Sequence, residues 1–193
     1  MLLGVTVLVL AWSVSAVCDA SALNTAGALV EMTENLLAVH WMPAIAFVLS
    51  ALVAFATGTS WATMSLLIPI VMSITAGLLI QDGSFVTAGT VNPGHPLLLA
   101  AIGGVLAGSI WGDHCSPISD TTVLSSVACD CDHLAHVWTQ LPYALTVGLI
   151  SLAVGCIPAG FGWPAMLLLP AGLIVMGVTL RLCAKSPDNG RTP

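Results

Sequence analysis

The stretch that decides the fold is residues 96–122, "PLLLAAIGGVLAGSIWGDHCSPISDTT". Its first part is strongly apolar, whereas its last eleven residues contain two carboxylates, a histidine, four hydroxyls and a proline. Only 6% of the residues in the chain are charged. An ionisable group inside a membrane is costly and commonly functional. We therefore predict that this polar run interrupts a membrane helix and builds a site at the interruption.

The composition of the whole chain indicates a membrane protein. The chain has 193 residues, is 58% hydrophobic and has a mean hydropathy of +1.03. A soluble domain of this length needs far more charged surface. Several apolar runs approach the ~20 residues that cross a hydrocarbon core of about 30 Å. The fold class predicted is all-α, a polytopic membrane helix bundle whose surroundings are the lipid bilayer. With three basic residues and no basic patch, nucleic acid is not an expected partner.

The distribution of basic residues predicts the orientation of the chain. Arg181, Lys185 and Arg191 all lie near the C-terminus. Basic residues accumulate on the cytoplasmic side of membrane proteins. We therefore expect a multi-pass protein of the cytoplasmic membrane, with a membrane domain over residues 1–183 and a polar cytoplasmic tail over residues 184–193.

The apolar segments are interrupted in a way that is typical of transporters. Segments are predicted at 2–17, 22–38, 43–56, 64–80, 97–111, 138–157 and 164–182, with a short helix at 120–129. Two of the boundaries, "ATGTSWAT" (56–63) and "GDHCSPISDTT" (112–122), follow short apolar pieces and form no ordinary loop. Non-helical backbone at membrane depth survives only when it is buried in protein or lines a cavity. In secondary transporters such breaks form the ion site, so we expect a re-entrant or broken helix pair here.

Asp113 and Asp120 are the candidate cation and proton carriers. Burial disfavours the charged carboxylate, so such a group can hold either a proton or a small cation. Hard oxygen ligands are expected from carbonyls freed at Pro117 and from neighbouring hydroxyls. These hydroxyls belong to Ser116, Ser119, Thr121 and Thr122. The alternative is that either aspartate only caps a helix, which "SDTT" favours for Asp120.

Further polar residues extend the candidate site. The hydroxyls of Thr57, Thr59 and Ser60, in the first break, are predicted to complete the oxygen cage. Their alternative is hydrogen bonding back to their own helix. His114 is a candidate proton relay, or else a simple hydrogen-bonding partner of a nearby carbonyl.

A cluster of metal-ligand residues keeps a zinc site open as an alternative. The run "CDCDHLAH" (129–136) contains Cys129, Cys131, His133 and His136. A membrane-embedded zinc enzyme would need the histidines to face one site beside a water-activating carboxylate. The Cys-x-Cys spacing is not the usual Cys-x-x-Cys knuckle, so we favour a polar connecting loop and no bound metal. The six cysteines show no disulfide framework.

Several stretches together resemble the NhaC-type sodium/proton antiporter family. They are "FATGTSWATMSLLIPI" (55–70), "GSIWGDHCSPISDTTVLSS" (108–126), "CDHLAHVWTQLPYAL" (131–145) and, more loosely, "LAWSVSAVCDASALNTAGALV" (10–30). The resemblance implies an ion-transporter-superfamily fold with two inverted repeats, each with a re-entrant hairpin and a broken helix. It also implies exchange of Na⁺ for H⁺, with carboxylates of the motif as carriers and with no cofactor besides the transported ions.

The resemblance also bears on partners and substrates. Members of this family are usually more than twice as long, so the chain is expected to supply the C-terminal repeat. Its expected partner is an N-terminal half or a second copy. Relatives also exchange organic acids or amino acids. No Lys or Arg precedes Arg181, so an organic anion would rest on helix N-termini and bound Na⁺ alone, which favours a bare ion.

Overall fold

The computed structural model describes residues 38–81 and 94–183, together with positions 9, 13 and 83. All regular structure in residues 38–81 and 94–183 is helical. A 3-10 turn, Val39–Trp41, leads into α1 (Met42–Thr57), and then follow α2 (Ser60–Gln81), α3 (Pro96–Cys115), α4 (Asp120–Ala128) and α5 (His133–Ile150). A π-helical turn, Ser151–Cys156, leads into α6 (Ile157–Gly160), and α7 (Ala165–Cys183) comes last. The segments predicted at 2–17 and 22–38 and the tail at 184–193 lie outside the described residues.

Five helical stretches are long and apolar enough to cross a membrane. They are Val39–Thr57, Ser60–Gln81, Pro96–Cys115, His133–Gly160 and Ala165–Leu182. The apolar side chains of α7 are exposed along its length, a surface that a bilayer would cover at no cost. The predicted polytopic helix bundle is thereby confirmed.

The first break is much shorter than the sequence suggested. The apolar pieces at 43–56 and 64–80 were predicted to be too short to span, and this is wrong, because α1 and α2 both continue into the hydroxyl-rich run. Only Gly58 and Thr59 separate the two helices. Thr57 remains helical because its hydroxyl donates to the Val53 carbonyl at 2.8 Å, a bond that satisfies the side chain inside a helix.

The tightest packing in the bundle joins α1 and α3 through a stripe of glycines spaced four residues apart. A Cβ added to any of them would overlap a backbone carbonyl of α1. The pairs are Gly104 with Pro43, Gly108 with Phe47, and Gly112 with Ala51. Small residues at this spacing let two membrane helices approach backbone to backbone. The stripe therefore fixes the register of α3 against α1.

Trp111 attaches the same end of α3 to α5. Its indole Nε1 donates to the Ala144 carbonyl at 2.6 Å. The ring fills the space left by Gly148, where a Cβ would overlap the indole. Phe47 of α1 packs on the other side, with ring centroids 6.0 Å apart. The C-terminal end of α3 is thus held between α1 and α5.

Candidate functional site

The second break begins four residues later than the sequence predicted. α3 continues through Cys115, so Asp113 and His114 are helical and the non-helical segment is Ser116–Ser119. The position follows from Pro117, since a proline disfavours helical geometry in the residue before it. Ser116 accordingly has extended backbone, with φ −73° and ψ 128°.

Asp113 is a buried carboxylate without a cationic partner. It is 7% exposed, and Ser119 Oγ donates to its Oδ1 at 2.8 Å. The basic side chains of the sequence begin only at Arg181, and residues 94–183 contain no ion pair to this carboxylate. A buried carboxylate needs a proton, a counter-ion or several strong donors. One serine hydroxyl leaves that need largely unmet.

The partial charges of two helix ends act on Asp113. Asp113 lies in the last turn of α3, where the unpaired carbonyls give the helix end a partial negative charge. Ser119, which donates to it, is the N-cap of α4, where the helix end is partially positive. The carboxylate thus lies where two helix ends of opposite polarity meet, the arrangement that discontinuous helices offer to ions in transporters.

The structure brings the two breaks into contact. Ser116 Oγ donates to the Phe55 carbonyl of α1 at 2.8 Å. Gly58 has a φ of +66°, and a Cβ there would come within 2.9 Å of the Ile118 carbonyl oxygen. Glycine is therefore required at position 58 both for its conformation and for this close approach. The predicted proximity of the breaks is confirmed, through backbone and Ser116.

The residues of the first break make local contacts. Besides the bond from Thr57 to Val53, the Thr59 carbonyl accepts a hydrogen bond from Thr63 Oγ1 at 2.9 Å. Ser60 is the first residue of α2. Among the described residues, no hydrogen bond joins Thr57, Thr59 or Ser60 to Asp113. A role for them in cation binding stays a prediction.

The remaining residues of the motif divide into buried and exposed ones. Ser119 is fully buried and shares a hydrogen bond of 2.8 Å with Thr121 Oγ1, while Thr122 is 4% exposed. Asp120 is the first residue of α4 and is exposed. A carboxylate there is stabilised by the positive end of the helix. The two aspartates, alike in sequence, therefore have different surroundings.

Several carbonyls at the second break and in the last turn of α3 accept a hydrogen bond. The Asp113 carbonyl accepts from Ser116 N at 3.1 Å. Gln140 Nε2 donates to the His114 carbonyl at 2.5 Å, and His133 Nε2 approaches the Pro117 carbonyl at 2.7 Å. The break is thus held in place by hydrogen bonds, and a role for its carbonyls as cation ligands stays a prediction.

His133 has a structural role that the sequence did not reveal. Because a carbonyl can only accept, its Nε2 donates to Pro117, while its Nδ1 lies 3.1 Å from Ser126 Oγ. The ring thus connects the start of α5 to the break and to α4. The His114 side chain is exposed, and its role as a proton relay stays a prediction. The role of His133 could be inferred locally only from its place at the start of α5, because its partners Pro117 and Ser126 lie 16 and 7 residues away.

The zinc alternative finds no ligand set. In the parts of the chain that the structure describes, no three His, Cys, Asp or Glu side chains are grouped to hold a metal. Cys129 and Cys131 are exposed, and both nitrogens of His133 have other partners. The predicted loop at 129–136 is also wrong in part, because α5 begins at His133 with Asp132 as its cap, accepting from Ala135 N at 2.8 Å.

We expect His133→Ala to lower the free energy of unfolding by about 1–3 kcal/mol, because it leaves the Pro117 carbonyl unpaired. The measurement is the Tm of the purified protein in detergent. His136→Ala is the matched control, since its ring makes no hydrogen bond to any described residue. Equal losses in both variants, together with a loss on adding a chelator, would instead favour a metal site.

Comparisons with known proteins place the sequence among antiporters. The family profile described as "Na+/H+ antiporter family" matches residues 1–161. An uncharacterized protein of Haemophilus influenzae is 35% identical over 176 residues, which cover 91% of this chain and 30% of the relative. The arginine/ornithine antiporter ArcD of Halobacterium salinarum is 38% identical over 110 residues, 57% of this chain and 19% of the relative.

A third relative is the malate-2H(+)/Na(+)-lactate antiporter of Bacillus subtilis, 32% identical over 117 residues, which cover 58% of this chain and 22% of the relative. No solved structure matches the chain. The chain spans 30% or less of the length of these relatives. The match over residues 1–161 nevertheless includes both breaks and the buried carboxylate, and the chain belongs to the Na⁺/H⁺ antiporter family.

Proposed function

We propose that the protein exchanges Na⁺ for H⁺ across the cytoplasmic membrane by alternating access, as part of a complete antiporter. The observation that carries the proposal is Asp113, a carboxylate 7% exposed with a single neutral donor and no basic partner in the described residues. Such a group is stable when it binds a proton or a small cation and costly when it binds neither. Proton and Na⁺ therefore compete for one place, and their competition couples the two fluxes.

The surrounding residues supply the rest of the proposed site. Ser119 holds Asp113 Oδ1 in place, and Thr121 and Thr122 lie at the start of α4 beside it. Ser116 fastens the break to α1. Asp120, exposed in this chain, lies where a further segment of the transporter or a water-filled access path would meet the site. Thr57, Thr59 and Ser60 are candidate ligands in the state that opens to the other side.

The orientation and partners of the chain belong to the same proposal. The positive charge of Arg181, Lys185 and Arg191 favours a cytoplasmic C-terminus. The partner is the remainder of the antiporter, either an N-terminal repeat of inverted topology or a second copy. A two-repeat arrangement would enclose the polar residues of α4 that the chain alone exposes, since lipid cannot solvate them.

A second candidate function is the exchange of organic ions. It is favoured by the names of two relatives, an arginine/ornithine antiporter and a malate-2H(+)/Na(+)-lactate antiporter. A carboxylate such as Asp113 would suit a cationic amino acid. No Lys or Arg is available before Arg181 to bind an organic anion, so an anionic substrate would need bound Na⁺ or a helix N-terminus.

The transport assay in everted vesicles separates the two candidates. Vesicles from cells that express the complete transporter are acidified by respiration, and recovery of a ΔpH dye is followed on adding Na⁺, Li⁺, K⁺, arginine, ornithine, malate or lactate. We expect Na⁺ alone to restore the dye signal, because a small cation replaces the proton on Asp113. Recovery that requires an organic substrate would establish the second candidate and reject simple Na⁺/H⁺ exchange.

A further inference from the structure

Ser109 is a buried hydroxyl without a partner in the part of the chain that the structure describes. It lies on α3, is fully buried, and its Oγ makes no hydrogen bond to any described residue. Leaving a buried polar group unpaired costs about 1–3 kcal/mol. A buried hydroxyl of this kind is a candidate ligand.

The neighbouring helices show that the usual local solution is not used at Ser109. Ser50 on α1 donates to the Ala46 carbonyl at 2.6 Å, and Thr75 on α2 donates to the Val71 carbonyl at 2.7 Å. Both are as deeply buried as Ser109. A hydroxyl bonded to the carbonyl four residues earlier is satisfied within its own helix. Ser109 does not make this bond and so retains its oxygen for another partner.

Its position relates the unpaired hydroxyl to the proposed carrier. Ser109 and Asp113 are four residues apart on α3, and both are buried. Residues at this spacing lie on one face of a helix with Cβ atoms about 6 Å apart. Two oxygens that each lie roughly 2.4 Å from one hard cation are separated by less than this Cβ–Cβ distance. The helical spacing of Ser109 and Asp113 is therefore compatible with one cation between their oxygens.

We propose that Ser109 Oγ is a ligand of the cation that Asp113 binds, and that an alkali cation lies between them on this face of α3. This inference rests on the proposed function and adds a residue to its site. The cation receives a charged oxygen from Asp113 and a neutral hard oxygen from Ser109. A proton on Asp113 needs only one oxygen, so Ser109 favours the metal ion over the proton.

The test measures Na⁺ dependence in everted vesicles that contain the complete transporter with Ser109→Ala or Ser109→Cys. Alanine removes the oxygen, and cysteine keeps the volume while replacing a hard ligand by a soft one. We expect the KM for Na⁺ to rise about tenfold in both variants, a loss of roughly 1.4 kcal/mol, with the maximal rate within about twofold of the original. The matched control is Ser50→Ala, which removes an equally buried but paired hydroxyl and is expected to leave that KM unchanged.

A stability measurement separates a ligand from a structural residue. Without Na⁺, the Tm of purified Ser109→Ala should equal or exceed that of the original protein, because an unpaired buried hydroxyl has been removed. Added Na⁺ should raise its Tm less than that of the original protein. An unchanged KM in both Ser109 variants overturns the inference, as does a loss of Tm equal to that of Ser50→Ala. Neither result touches the proposed function, which is tested separately by the ion and substrate dependence of the dye signal and by Asp113→Asn.

Discussion

We expect Asp113→Asn to abolish Na⁺-driven proton movement. Asparagine has nearly the size of aspartate, and its Oδ1 can still accept the hydrogen bond from Ser119. It has no charge, so it can neither bind a proton nor balance a cation. Everted vesicles that contain the complete transporter with this substitution should show the same dye signal as vesicles that lack the protein, over the whole range of Na⁺ concentration.

Two controls show that the loss is not a loss of folding. Asp132→Asn makes the same chemical change at an exposed cap of α5, where asparagine serves about as well as aspartate, and transport should persist. Purified Asp113→Asn should have a Tm no lower than the original protein in Na⁺-free buffer, because a buried charge has been removed. Full exchange activity in this variant would exclude Asp113 as the carrier.

The same assay distinguishes the two aspartates of the motif. Asp120 is exposed in this chain and lies in the first turn of α4. Its replacement by asparagine leaves the buried carboxylate intact, so we expect exchange to continue at a reduced rate. The sequence treats the two residues alike, and the distinction depends on where α3 ends. With the helix continuing to Cys115, Asp113 remains on the buried face, and Asp120 falls beyond the break.

The sequence was sufficient for the features that follow from composition and local rules. The membrane bundle follows from apolar runs. The two breaks lie at Gly58, which has a left-handed conformation at the end of α1, and at Pro117, which disfavours helical geometry in Ser116. The end of α3 was misplaced because polarity was given more weight than Pro117. The helix in fact continues through Asp113 and His114, which are polar but compatible with it.

Features that depend on tertiary partners could not be predicted in this way. The contact of His133 with Pro117 joins residues 16 positions apart, and nothing local distinguishes this histidine from His136. The unpaired state of Ser109 likewise depends on what the neighbouring helices offer. In contrast, the four-residue spacing of Gly104, Gly108 and Gly112 can be recognised in the sequence. It is the signal that would have predicted the packing of α3.

Gly108→Ala should disrupt the close contact between α1 and α3. The added Cβ would overlap the Phe47 carbonyl and the Ser50 hydroxyl, and the backbone of α1 cannot move aside without moving the whole helix. Overpacking in a rigid core costs about 1–3 kcal/mol and occasionally more. We expect the upper end of that range, seen as a loss of monodisperse protein in detergent and a lower Tm.

Gly103→Ala is the matched control on the same helix. A Cβ at Gly103 meets nothing within 4 Å, and alanine in a helix is favoured over glycine by roughly 0.5–1 kcal/mol, so this variant should be at least as stable as the original. Gly108 contacts Phe47, and Ser116, eight residues further along the chain, contacts Phe55, eight residues further along α1. Separating the two helices at position 108 would therefore also separate the two breaks. We therefore expect Na⁺-driven proton movement to fall in any Gly108→Ala protein that still folds, and to be retained in Gly103→Ala. Equal stability and equal transport in the two variants would mean that the backbones of α1 and α3 do not meet at this stripe, and that the register which holds Asp113 beside the first break has another origin.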